Sequence, residues 1–137
     1  MNDCIFCKII RGEIPCNKIY EDKNIIAFLD IKPVNPGHTL IVSKKHTVNI
    51  LDTPESTLKQ MIIATKKLSA AIKDAVDAKG INININNNKT AGQAVSHIHF
   101  HIIPRFENDG RELWHGADYK DNEAEEIKKA VKEAIKR

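Results

Sequence analysis

No apolar run in this 137-residue chain approaches the roughly 20 residues that a membrane-spanning helix needs. The first residues, Met1-Asn2-Asp3-Cys4, offer no basic start followed by an apolar stretch. A membrane partner and a secretory leader are therefore not expected, and a cytoplasmic location is. Cysteine is scarce, at Cys4, Cys7 and Cys16 only. An odd count in such a chain argues against a disulfide framework and leaves metal binding or redox chemistry for Cys4-x-x-Cys7. Charge of one sign is lacking too: 21 Lys and Arg face 18 Asp and Glu, a net +3, part of it at the chain end. Aromatics are only 5% of the residues and stud no basic patch, so no nucleic-acid groove is expected. The P-loop and the dinucleotide fingerprint are both missing, which removes two common phosphate-binding designs. Internal repeats are missing as well.

What is present suits one domain spanning 1–137, with a core over about 4–105 and a C-terminal segment and helix over 106–137. Residues 4–11 read as a short helical turn ended by Gly12. Strands are predicted at Lys18–Tyr20, Ile25–Asp30 and His38–Ser43, the last preceded by a Lys32–Gly37 turn. Thr53-Pro54-Glu55 reads as a helix start with a hydroxyl N-cap and proline in the first helical position. Leu58, Met61, Ile62, Thr65, Leu68, Ile72, Ala75 and Val76 then recur at helical spacing, and Gly80 closes the helix. Ile81, Ile83 and Ile85 alternate with asparagines as in a half-buried strand. Another alternating strand runs from His97 to Ile103, its end marked by Pro104. In the tail from Asp121, acids precede bases, and Ala124, Ile127, Ala130, Val131 and Ile135 form one packed helical face. The pattern is that of an α+β domain with a mostly antiparallel sheet.

The strongest chemical signal is His97-Ile98-His99-Phe100-His101. In a strand, alternate side chains share a face, so three imidazoles project together while Ile98, Phe100 and Ile102 enter a core. Buried polar rings need partners, which makes a set in register a poor choice of core filler. Imidazole is a nucleophile and proton carrier near neutral pH. Two histidines at i and i+2 can equally share a zinc ion. Cys4-x-x-Cys7 allows three readings: ordinary cysteines in a turn, a redox pair, or half of a zinc site that needs two more ligands, for which His46 and a motif histidine are candidates. Asp30, at a strand end, is a turn cap or an acceptor for a ribose diol, and His38 is open in the same way. Gly92-Gln93-Ala94 is a simple turn or a loop whose amides approach a phosphate.

These segments together resemble the histidine triad superfamily, in its Hint-like and bacterial branch. The resemblance rests on the histidine motif and on Cys4–Ile10 with Gly12-Glu13-Ile14-Pro15. It also rests on Phe28–Pro33, Gly37-His38, Lys44-Lys45-His46, Asn86 and Gly92-Gln93, in the same order up to Arg105. It implies a five-stranded antiparallel meander with one long helix and a C-terminal helix, paired into a homodimer. It implies a hydrolase or nucleotidyl transferase that cleaves purine nucleotide conjugates at the α-phosphate. His99 would attack and carry the nucleotidyl group, with His101 and His38 orienting it. Asp30 would hold the ribose, and Phe6, Ile9, Phe28, Leu29 and Ile31 would line the base pocket. Asn86, Gln93, Ala94 and Val95 would meet the phosphate. A structural zinc would be held by Cys4, Cys7, His46 and His97, and no organic cofactor is implied. Many Hint-type relatives carry serine where this chain has Ala94. The C-terminal region of such proteins tends to reach the partner's substrate site, which points to Trp114 and His115 as specificity elements or as a plain linker. A nucleotide-binding partner protein with little turnover, a dinucleoside polyphosphate hydrolase and an all-ligand metal protein are the competing readings.

Overall fold

The computed structural model describes residues 3–137; Met1 and Asn2, which belong to the N-terminal stretch weighed as a leader, lie outside the described residues. The alternating segments become β1 (Lys18–Glu21), β2 (Ile25–Leu29), β3 (Thr39–Ser43), β4 (Gly80–Asn84) and β5 (His99–Arg105). The helices are α1 (Ile5–Ile10), α2 (Glu55–Ala75) and α3 (Glu123–Ile135). All neighbouring strands are antiparallel, in the order β1-β2-β3-β5-β4. The α2 crossover carries the chain to the far edge before β5 returns between β3 and β4. That return gives the histidine strand a neighbour on each side.

Each face of the sheet has its own core. Ile25, Ala27, Ile41, Phe100 and Ile102 pack under Met61, Ala64, Leu68 and Ile72 of α2. Ile26, Phe28, Leu40 and Val42 pack with Phe6 of α1 on the opposite face. Pairing of Leu40 with His101 and of Val42 with His99 puts both histidines on the α1 face. Among the described residues no helix is long and apolar enough to cross a membrane.

Several boundaries differ from the sequence reading, each for a local reason. Pro104 does not end the strand: it pairs with Ile81 inside β5. Its carbonyl accepts from Asn35 Nδ2, on the side where β3 pairing has already stopped at Thr39–Ile102. The missing proline N–H faces that same side, so no ladder bond is lost. Thr53 is not the N-cap of α2. Pro54 is, without a side-chain bond, because the Thr53 hydroxyl donates to the Asn49 carbonyl and meets Thr47 Oγ1. Gly80 does not close α2 either; the chain turns at Asp77, with φ +53, and Gly80 pairs with Arg105 in β4. His97 precedes β5, although Ile98 N–H still donates to the Thr47 carbonyl. The tail helix forms, but none of its residues is buried among the described residues. Ile127, Val131 and Ile135 are 45%, 51% and 76% exposed.

Gly37, with φ +95, is required by its surroundings. A Cβ there would come within 3.1 Å of both Pro104 and Val76. The turn it makes delivers His38 beneath the end of β5.

Candidate active site and metal centre

Two clusters of polar side chains emerge from the α1 face, separated by Phe6. The Phe6 ring meets His99 edge-on at 5.0 Å and His97 at 5.8 Å. It therefore walls the histidine site rather than lying open to it.

On one side of Phe6 stand Cys4, Cys7, His46 and His97, whose ligand atoms all lie within 4.8 Å of one another. The first turn of α1 presents both sulfurs, since Cys4 is its N-cap and accepts from the Cys7 N–H. Cys4 Sγ is 3.3 Å from His97 Nδ1, Cys7 Sγ is 3.3 Å from His46 Nδ1, and Cys7 Sγ is 3.6 Å from His97 Nδ1. A tetrahedron built from ordinary Zn–S and Zn–N bonds has S···N edges of about 3.6 Å. His97 is fully buried, and its Nε2–H donates to the Ser43 carbonyl at 2.6 Å. A carbonyl only accepts, so the proton sits on Nε2 and the Nδ1 lone pair faces the sulfurs. This is the outer-shell arrangement that orients a metal-binding imidazole. The set of two thiols and two imidazoles fits a closed tetrahedral site and can hold a metal ion.

On the other side, main-chain groups again assign the protons. His99 Nδ1–H donates to the His97 carbonyl at 2.7 Å, leaving the Nε2 lone pair free. Val34 N–H donates to His38 Nδ1 at 3.0 Å. The His38 proton therefore sits on Nε2, which donates to His101 Nδ1 at 2.9 Å. His101 then presents its own Nε2–H. Asp30 serves as the expected turn cap. Its Oδ1 accepts from Lys32 N–H, and its Oδ2 lies 3.6 Å from His38 Nε2. Burial pushes His101 down to about 4, helped by the neighbouring His99 and His38. Burial also lowers His38 and His99, with Asp30 pulling both back upward. Burial thus disfavours the protonated form of all three rings, and His99 keeps a free lone pair on Nε2.

The remaining sequence-picked residues divide. Ile9, Phe28 and Val95 join the core beneath α1, and Leu29 is half-buried while Ile31 is 84% exposed. Gln93 spends its amide holding its own loop: Nε2 donates to the Val48 and Val95 carbonyls, and Oε1 accepts from Asn88 N–H. Gly92 has φ +93 and passes beside Asn86. Ala94 is exposed in that loop, and Trp114 is 94% exposed in the segment leading to α3. A cleft of about 680 Å³ between Gly80, Asn82, Arg105 and Leu113 contains no histidine.

Sequence reasoning missed the main-chain groups that fix the tautomers, Val34 N–H and the Ser43 and His97 carbonyls; no residue type signals them. It also missed the Arg105–Asp109 ion pair, which binds Asn82 and Asn35 and so pins the turn before His38. The i, i+4 spacing of Arg105 and Asp109 was the available hint.

The comparisons with known proteins agree with this geometry. The HIT domain family matches residues 11–108. An uncharacterised HIT-like protein of Methanocaldococcus jannaschii is 46% identical over 129 residues, covering 94% of this chain and 98% of that protein. An adenylylsulfatase of Arabidopsis thaliana, HINT3, is 45% identical over 108 residues, covering 79% of this chain and 55% of that protein. A crystal structure of a zinc-bound histidine triad family protein from Mycobacterium smegmatis superposes with a TM-score of 0.78 at 35% identity, covering 98% of this chain and 97% of that one. With its antiparallel sheet, its histidine strand and relatives matching along nearly its whole length, the chain belongs to the HIT-domain family, a family of nucleotide-binding proteins that includes hydrolases.

Proposed function

We propose that the chain hydrolyses purine nucleotide conjugates at the α-phosphate through a covalent nucleotidyl–His99 intermediate. The observation that carries this reading is the free Nε2 of His99, whose other nitrogen is fixed on the His97 carbonyl. A ring held in one tautomer and kept neutral by burial is set to attack phosphorus. His101 Nε2–H, aligned by His38, donates to a phosphoryl oxygen as negative charge grows there. Asp30 accepts from the ribose hydroxyls, and the Asn86 and Ala94 region of the glycine loop supplies polar groups to the phosphate. The base lies against Ile9, Phe28, Leu29 and Ile31.

The metal in this reading is zinc, held by Cys4, Cys7, His46 and His97. Bound there, it would tie α1 to the segment before β5 as a structural ion and would take no part in the chemistry. The working unit is a homodimer. The uncovered apolar face of α3 and the exposed Trp114 support this, since a 13-residue helix without packing is marginal in water.

The test is AMP release from a fluorogenic adenosine phosphate conjugate, with acid-quenched protein weighed by mass spectrometry for an adenylylated His99. His99→Asn abolishes both signals while AMP still binds. A wild-type protein that binds AMP and releases none from any conjugate is instead a nucleotide-binding partner protein.

A further inference from the structure

The first turn of α1 carries two sulfurs that the chemistry of His99 does not use. Cys4 caps the helix, and its Sγ accepts from the Cys7 N–H at 3.4 Å. The Lys8 N–H donates to the Cys4 carbonyl at 3.0 Å, so Cys4 and Cys7 share one side of a helical turn. Both sulfurs meet the same nitrogen, His97 Nδ1, at 3.3 and 3.6 Å, and they lie within 4.8 Å of each other. A disulfide requires Cα atoms about 4.4–6.8 Å apart and sulfurs at about 2.05 Å. Residues three apart on a helical turn meet the first condition, and side-chain rotation at the helix start meets the second.

The two thiols differ in access. Cys4 is half-buried and Cys7 is buried. An oxidant arriving from solvent therefore meets Cys4 first, and Cys7 stands beside it as the resolving thiol, the arrangement of a reversible redox pair. Cys16, the third cysteine, lies outside the cluster.

We infer that Cys4 and Cys7 form a reversible disulfide under hydrogen peroxide or an organic hydroperoxide, and in doing so give up the metal ion held by the four-residue cluster. The disulfide rests on the two sulfurs alone, and the release rests on the zinc assignment of Cys4, Cys7, His46 and His97.

The steps balance. The Cys4 sulfur bonds to one peroxide oxygen as the O–O bond breaks, and the other oxygen takes a proton and leaves as water or an alcohol. The Cys7 sulfur then attacks the Cys4 sulfur, the S–O bond breaks, and the hydroxyl takes a proton and leaves as water. Two electrons pass from the sulfurs to the peroxide. A disulfide carries no charge to offer a cation, so His46 and His97 are left as the remaining ligands, too few to close a tetrahedral site. The helix α1 then loses its tie to the segment before β5, and Phe6, whose ring stands 5.0 Å from His99, rides on that helix. A dithiol reverses the bond by exchange.

The experiment treats the zinc-loaded, full-length protein with hydrogen peroxide in the presence of a colorimetric zinc chelator. Zinc release and thiol loss are expected to proceed together, at about one ion for each pair of thiols. Alkylation and peptide mapping are expected to find the new bond between Cys4 and Cys7, with a mass loss of about 2 Da. Dithiothreitol with added zinc restores both thiols and the ion, and Cys16→Ser gives the same release, bond and recovery. A bond to Cys16 or between two chains overturns the inference, as does sulfinic acid accumulating at Cys4 in place of a disulfide. So does a Cys4–Cys7 disulfide in protein that keeps its zinc. In each of these outcomes the zinc assignment stands. Reduced protein that takes up no zinc overturns that assignment and the release with it, a failure that atomic emission reveals before any peroxide is added.

Discussion

The two clusters on either side of Phe6 are made of similar residues and behave differently. Cys4, Cys7, His46 and His97 form one; Asp30, His38 and His101 form the other. In each, the candidate ligand atoms lie within 4.8 Å of one another. The separations of 2.9 and 3.6 Å around His38 would even suit a metal. What separates them is where the main chain puts the protons. In the first, the Ser43 carbonyl holds the proton of His97 on Nε2, and the opposite lone pair faces two sulfurs. In the second, Val34 N–H occupies His38 Nδ1, so the atom nearest Asp30 and His101 already carries a hydrogen. A metal there would have to expel that proton and break the Val34 bond. One cluster leaves lone pairs facing two sulfurs and can be bridged by an ion; in the other the hydrogen bond from His38 to His101 already fills that place.

The comparison is broken most sharply by His99→Asn. Turnover should fall by about 10,000-fold, as for loss of a covalent nucleophile, while metal content measured by atomic emission stays the same. Cys7→Ser should do the reverse. Metal is lost and Tm drops by about 10 °C, the size expected for roughly 3 kcal/mol in a domain of this length. Adenylylation of His99 persists at a temperature where the variant is folded. His38→Ala should cost about 100-fold in kcat, the usual scale for a group that orients proton donors, with metal retained. Loss of metal in that variant would mean the two clusters are not separate.

A smaller effect is expected in acid. His101 and His38 titrate lower in the folded chain than their ordinary value of 6.5, His101 at about 4. Between these pH values the unfolded chain binds more protons than the folded one. Stability is therefore complete above about 6.5 and is lost as the pH falls toward 4. Thermal unfolding of His101→Gln should show a shallower fall over the same range. The smallest effect is expected for Thr53→Ala. It loses two hydrogen bonds inside the loop before α2 rather than a helix cap, a cost of about 1–2 kcal/mol.

Much of this was legible because periodicity is a property of the chain. The alternation through β5 marked Phe100 and Ile102 as core residues and His99 and His101 as a shared face, and the spacing in α2 marked Met61, Leu68 and Ile72. Boundaries were read less well where a side chain found a better partner than the local rule supplies. Thr53 serves Asn49 instead of the helix, and Pro104 stays in a strand because its missing donor falls where no neighbour needs one. The apolar stripe of α3 was also legible, but nothing among the described residues covers it.

The sequence by itself determined which chemistry was available: imidazoles on one strand face, two thiols one helical turn apart, and no phosphate loop of a familiar kind. It could do so because residue types and their spacing are written in the chain. The tertiary structure alone decided where each ring carries its proton: on Nε2 in His97 and His38, and on Nδ1 in His99. That choice depends on the carbonyls of Ser43 and His97 and the amide of Val34. Every residue carries such groups, so only folding determines which of them an imidazole meets.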